Sequence, residues 1–195
     1  MKTETKIIRF FIETGKEPTI KELAEGIKAD YKIVHTAAMR LAGKGILKKK
    51  RIGNSIQLKF AYAFSKEVFE AEFERREEIL RNKNLRAVFE AIKSKIGSVN
   101  FVLILFGSYA KNKARKTSDI DFMFIVSETA IERRIEQATS ILPFKIHYFV
   151  FTEEQFKEMS YSKEPNVVHE AIKNNIILHG IEQYYELIER RGTLK

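Results

Sequence analysis

Strand-length apolar runs alternating with helical segments, after an N-terminal stretch of helices closed by a hairpin, predict a chain of mixed helix and sheet, α/β or α+β. Three observations carry the prediction. Before residue 43, apolar positions recur at helical spacing in three segments, each bounded by Gly, Pro or Asp. The stretch ILKKKRIGNSIQLKF (46–60) then reads as two short strands meeting at Gly53-Asn54, a hairpin turn signal. Beyond residue 85, apolar runs at 99–106, 119–126 and 144–151 have strand length, and helix signals separate them.

The elements follow in order. A first helix spans 3–14, with Ile7, Ile8, Phe10, Phe11 and Ile12 as its apolar positions and Gly15 as its stop. Thr19 and Glu22 have the spacing of a capping box, opening a second helix whose stripe is Ile20, Leu23, Ala24 and Ile27. Gly26 and Asp30 bracket a turn. A third helix spans 31–42 with Val34, Ala38 and Leu41 on one face. Residues 65–82 read as a linking helix with Phe69, Phe73, Arg76 and Leu80 along one face and charge elsewhere. A helix at 85–96 precedes the first long strand, and 108–112 can form a short helical turn. Helix signals return at 128–139, with Glu128 as a helix-start acid. Thr152 caps a helix over 153–159, and Pro165 opens another to about residue 175. IILHG (176–180) is a short strand, and 181–191 is the last helix. Tyr184, Tyr185, Leu187 and Ile188 read as core or as the face of a homodimer.

Charge is distributed unevenly. Residues 1–62 carry 14 Lys/Arg against 6 Asp/Glu, a net of +8, whereas 63–195 carry 21 against 20, a net of +1. The excess points to a polyanion partner for the N-terminal part. The absence of cysteine excludes a disulfide framework and a thiolate metal site. No apolar run approaches bilayer length and no secretory leader pattern opens the chain, so the expected location is cytoplasmic, with no membrane partner. A composition rich in Lys, Glu and Ile and poor in Pro and Gly resembles thermophile proteomes.

Three helices, a short turn before the third, and a hairpin resemble a winged helix-turn-helix domain over about residues 1–62. The fragment LAGKGIL (41–47) is similar to the pattern that ends the recognition helix and enters the wing in that family. The resemblance implies double-stranded DNA as partner, with the third helix in a major groove. Lys32, His35, Thr36, Met39 and Arg40 would face outward from that helix. Lys48, Lys49, Lys50, Arg51 and Asn54 of the wing would meet phosphates.

The most informative stretch is LFGSYAKNKARKTSDIDFMFIV (105–126). Asp119 and Asp121 are two apart at the start of an apolar strand, so they share a face and repel each other. A divalent cation between them resolves the repulsion. Gly107 lets a phosphate approach its backbone, Ser108 offers a hydroxyl, and the following N–H groups point at an anion. Lys111, Lys113, Arg115 and Lys116 in the connecting loop could attract a triphosphate.

This constellation resembles the signature of the polymerase-beta-like nucleotidyltransferases, over about residues 85–182, with 63–84 as linking helix and 85–195 as the domain. The resemblance implies an α+β fold whose mixed sheet is flanked by helices. The short chain is similar to minimal nucleotidyltransferases of archaea and bacteria, and with its winged helix-turn-helix it resembles an archaeal type. The resemblance implies transfer of a nucleoside monophosphate from an NTP to a hydroxyl or similar acceptor. Gly107, Ser108, Lys111 and Lys116 would hold phosphate, and Asp119 and Asp121 would hold one or two Mg²⁺.

Two departures stand out. Asn112 occupies a place usually taken by glycine, which Asn tolerates because it accepts left-handed backbone angles. The strand KIHYFVF (145–151) has no acid where active members carry a third carboxylate, and His147 falls there, as base, ligand or polar strand-end residue. Glu153 and Glu154 would supply the acid only if that strand were shorter. The resemblance therefore also implies alternatives: a nucleotide-sensing transcriptional regulator of weak or no activity, or an antitoxin-like partner of a HEPN-type protein.

Overall fold

The computed structural model describes residues 1–97, 100–115, 117–127 and 131–192. Two compact units emerge, Met1–Phe73 with Ile188–Lys195, and Glu74–Leu187.

In the first unit, α1 (Thr3–Thr14) buries Ile7, Ile8 and Phe11 and ends at Gly15 in the left-handed conformation. The Thr19–Glu22 capping box is formed on both sides and starts α2 (Ile20–Gly26). Asp30 caps α3 (Tyr31–Gly43) by accepting from the N–H groups of Lys32 and Ile33. β1 (Leu47–Ile52) and β2 (Ser55–Phe60) pair antiparallel, with Ile52 opposite Ser55 across the Gly53-Asn54 turn. Leu47, Leu58 and Phe60 anchor the base of the hairpin in the core, and its tip is exposed.

α4 (Lys66–Ile79) differs from the expected amphipathic pattern. Its buried positions include Val68, Ala71, Glu72 and Arg75, while Phe69 and Phe73 are exposed. Arg75 donates to the carbonyl of Asn175 at 2.5 Å. Polar groups with partners can take buried positions, and hydropathy periodicity does not register them.

The second unit is a four-stranded mixed sheet in the order β5-β4-β3-β6. Its strands are β3 (Phe101–Phe106), β4 (Ile120–Val126), β5 (Ile146–Thr152) and β6 (Ile176–His179). β3 runs antiparallel to β4 and β6, and β4 runs parallel to β5. Apolar residues fill both faces of β3, as a doubly covered strand requires. One face, with Phe101, Leu103, Leu105, Ile120, Phe122 and Phe124, packs on α5 (Lys83–Ile96) and α7 (Glu132–Ser140). On the α8 (Glu153–Tyr161) and α9 (Val167–Lys173) side, α9 meets β3 and α8 meets β4 and β5. The last helix, α10, spans Ile181–Gly192. Tyr184 and Tyr185 are core, with the Tyr184 hydroxyl accepting from Asn175 at 2.9 Å. Glu128 lies outside the described residues.

His179 stacks on Phe101 at 4.5 Å, in the structural role its place before Gly180 suggests. Burial holds its ring below the ordinary value of 6.5, with Lys93 and Arg76 pushing the same way. A depressed histidine contributes stability that is present above 6.5 and falls away as the pH drops toward its folded value. Denaturant midpoints at about pH 7.5 and about pH 5.5 are expected to differ less in His179→Phe than in the wild-type protein.

Candidate functional site

Phe106, the last residue of β3, sits directly opposite Asp121 on β4. The chain then turns at once into α6 (Gly107–Ala110). Gly107 has φ +67°, and a Cβ there would collide with Asp121 Oδ2 and lie 3.0 Å from its Cγ. Gly107 is therefore demanded twice, by its backbone angle and by the carboxylate beside it. Ser108 follows, half-buried. Asn112 closes the turn with φ +52°, the left-handed angle that glycine would otherwise supply.

Asp119 precedes β4 and Asp121 lies within it, two residues apart and both half-buried. Strand alternation places them on the face away from the large core, since Ile120 and Phe122 belong to that core. Burial pushes the Asp121 carboxyl above the ordinary carboxylate range, His147 opposes the shift, and Asp119 and Glu170 add to it. Asp119 Oδ1 is buried and has no hydrogen-bond partner among the described residues.

Two basic side chains, one in β5 and one just before it, meet the pair. Lys145 Nζ is 2.8 Å from Asp119 Oδ2. His147, in register with Asp121, places Nε2 at 3.6 Å from Asp119 Oδ2 and Nδ1 at 3.7 Å from Asp121 Oδ1. Sequence reasoning singled out His147 and passed over Lys145. The signal was present, because residues 145 and 147 are one strand period apart and share a face.

Glu153 and Glu154 do not replace the absent acid. They begin α8, after Thr152, which pairs with Val126 at the far end of β4 from Asp119 and Asp121. A strand of that length separates them by roughly 20 Å. Glu170 on α9 is the acid whose field reaches Asp121, and it pairs with Lys111 at 2.9 Å. Lys111, expected to meet phosphate, thus has an acidic partner. Lys116 lies outside the described residues.

Among the described residues, no three His, Cys, Asp or Glu side chains converge as a metal cage. The arrangement still fits a hard cation: two adjacent carboxylates, one with an orphaned buried oxygen, beside an open glycine turn. Mg²⁺ is characteristically held by one or two carboxylates, with water and substrate phosphate completing the shell. Next to α6 is an open cavity of about 710 Å³, lined by Asn82, Asn84, Tyr109, Asn112 and Arg115 among others. The Tyr109 ring packs against the core. His169 is partly buried, its Nε2 3.2 Å from the Ser160 carbonyl, so it too is a structural residue.

In the first unit, Lys32, Thr36 and Arg40 are exposed on α3 and His35 is half-exposed. Thr36 bonds back to the Lys32 carbonyl, and Arg40 pairs with Glu4 at 2.7 Å. Lys48, Lys49, Lys50 and Arg51 are all exposed on β1, alternating between the two faces of the hairpin. None of these four forms an ion pair among the described residues, and Arg51 bonds only to the Gly53 carbonyl.

The family model for polymerase beta nucleotidyltransferases matches residues 84–184, just over half of the chain. Neither the curated proteins nor the solved structures include a match.

Proposed function

Since the chain belongs to the polymerase beta nucleotidyltransferase family, we propose that it binds a Mg²⁺-nucleoside triphosphate on Gly107, Ser108, Asp119 and Asp121. It transfers the nucleoside monophosphate to a hydroxyl or similar acceptor. The observation that carries this reading is the meeting of Gly107 with Asp121: the residue that must lack a Cβ for phosphate approach is the one pressed against the carboxylate. When bound, Mg²⁺ neutralises phosphate charge and orients the triphosphate. The chain's own contribution is to hold two carboxylates at the start of β4, opposite the end of β3, and to leave the turn at Gly107 open. The neighbouring cavity offers amide groups that can hydrogen-bond a nucleoside. Incubation with Mg²⁺ and each labelled NTP, with Asp119→Asn/Asp121→Asn as control, tests the reading. Label must reach an acceptor in the wild type and not in the control.

A second reading is nucleotide binding without efficient turnover, and one observation favours it. β5 presents His147 where the family resemblance implies an acid, and general-base catalysis contributes about a hundred- to ten-thousand-fold. Nucleotide that binds to the wild type and is never transferred selects this reading over the first.

The first unit fits a winged helix-turn-helix that binds duplex DNA. Its support is the exposed run of Lys48, Lys49, Lys50 and Arg51 without acidic partners. Replacing all four by alanine in the full chain is expected to weaken duplex binding across sequences. The slope of log affinity against log salt should flatten by about 0.9 for each phosphate that is no longer neutralised. An unchanged slope would remove the hairpin from the interface.

A further inference from the structure

The four oxygens of the aspartate pair face two different environments. On the β5 side, Asp119 Oδ2 holds the Lys145 ammonium at 2.8 Å, and His147 spans to Asp119 Oδ2 and Asp121 Oδ1. Away from them, Asp121 Oδ2 faces the bare α-carbon of Gly107. Asp119 Oδ1 is buried and has no hydrogen-bond partner among the described residues. A second divalent ion next to the first would need a further acid, and it would stand against a lysine ammonium. The acids that directly follow β5, Glu153 and Glu154, start a helix at the opposite end of the strand. Glu170 is engaged with Lys111.

We propose that Lys145 and His147 take the place of a second divalent ion, so that the site accepts one cation per bound nucleotide. The inference rests on the nucleotide-site reading given above and specifies its metal content. Lys145 is suited to the role. Its side chain is 73% exposed and reaches Asp119 from the residue before β5, so the charge sits on an exposed stem held by one ion pair. An ammonium neutralises a carboxylate but adds no open coordination position, which separates its effect from that of a second metal. His147 reinforces it by filling the space between the two carboxylates on that side.

The test counts bound Mn²⁺ in the presence of a non-hydrolysable NTP analogue, by the electron paramagnetic resonance signal of free Mn²⁺ and by calorimetry, on the full chain. The wild-type protein is expected to bind one Mn²⁺, and Lys145→Ala/His147→Asp two. Both side chains are more than half exposed, and circular dichroism checks that the fold is kept. Two ions in the wild type overturn the inference while leaving the nucleotide site intact. One ion in both proteins overturns the role given to Lys145 and His147. Wild-type protein that takes up neither Mn²⁺ nor analogue overturns the nucleotide-site reading itself, and the inference with it.

Discussion

Replacing Asp121 with asparagine is expected to abolish metal-dependent nucleotide binding and transfer while leaving the fold at least as stable as before. The two expectations have one cause. Asp121 is half-buried, its carboxyl pushed upward by burial and by the neighbouring charge of Asp119. Holding it ionised there costs stability, a cost that the proposed cation would offset. Asparagine keeps the shape beside Gly107 and removes the charge. Asp119 keeps its Lys145 partner, so no uncompensated group is created. Losing the cation removes several kcal/mol of charge stabilisation, about a hundredfold or more in rate. Thermal melts alongside Mn²⁺ titration and label transfer measure both halves. A variant that melts well below the wild type would show that Asp121 serves the fold, and one that still binds Mn²⁺ would move the site elsewhere.

Gly107→Ala is expected to damage both stability and nucleotide binding. At φ +67° an L-residue is strained, by about 1–2 kcal/mol. The new methyl group would also collide with Asp121 Oδ2 and crowd its Cγ, so the carboxylate must swing away from the turn it faces. Gly15→Ala separates the two effects, because Gly15 has φ +62° with nothing within 4 Å of a Cβ. The stability loss at Gly107 should exceed that at Gly15, and only Gly107→Ala should weaken nucleotide binding, by about tenfold or more, as expected for loss of well over 1 kcal/mol. Equal losses at the two positions in urea titrations, with nucleotide affinity unchanged, would mean that Asp121 tolerates the methyl group and that the close approach has no function.

Several features were legible without coordinates because local chemistry dictates them. The Thr19–Glu22 capping box needs only its own spacing, and both of its bonds form. The hairpin turned where Gly53-Asn54 placed it. Asn112 was marked as the tolerable replacement for a glycine, and it adopts the left-handed angle. Other features were misread because they depend on what lies across space. The apolar residues Phe69 and Phe73 on α4 are exposed, while Glu72 and Arg75 are buried, since hydropathy alone does not anticipate partners such as the Asn175 carbonyl.

The residues of the aspartate pair show the same division. By itself the sequence marked Gly107 and Asp121 as neighbours, because a turn and two strands of short connection leave them little else to do, and a Cβ at Gly107 would collide with Asp121 Oδ2. It also determined that β5 would arrive without an acid. Only the tertiary structure decided what stands there instead. The parallel register of β4 with β5 sets His147 against Asp121 and brings Lys145 onto Asp119, and it carries Glu153 and Glu154 to the opposite end. Parallel pairing joins strands distant in sequence, and a one-residue slip would have turned both basic side chains to the other face. The charge balance of the site is therefore set by register, which residue order alone does not specify.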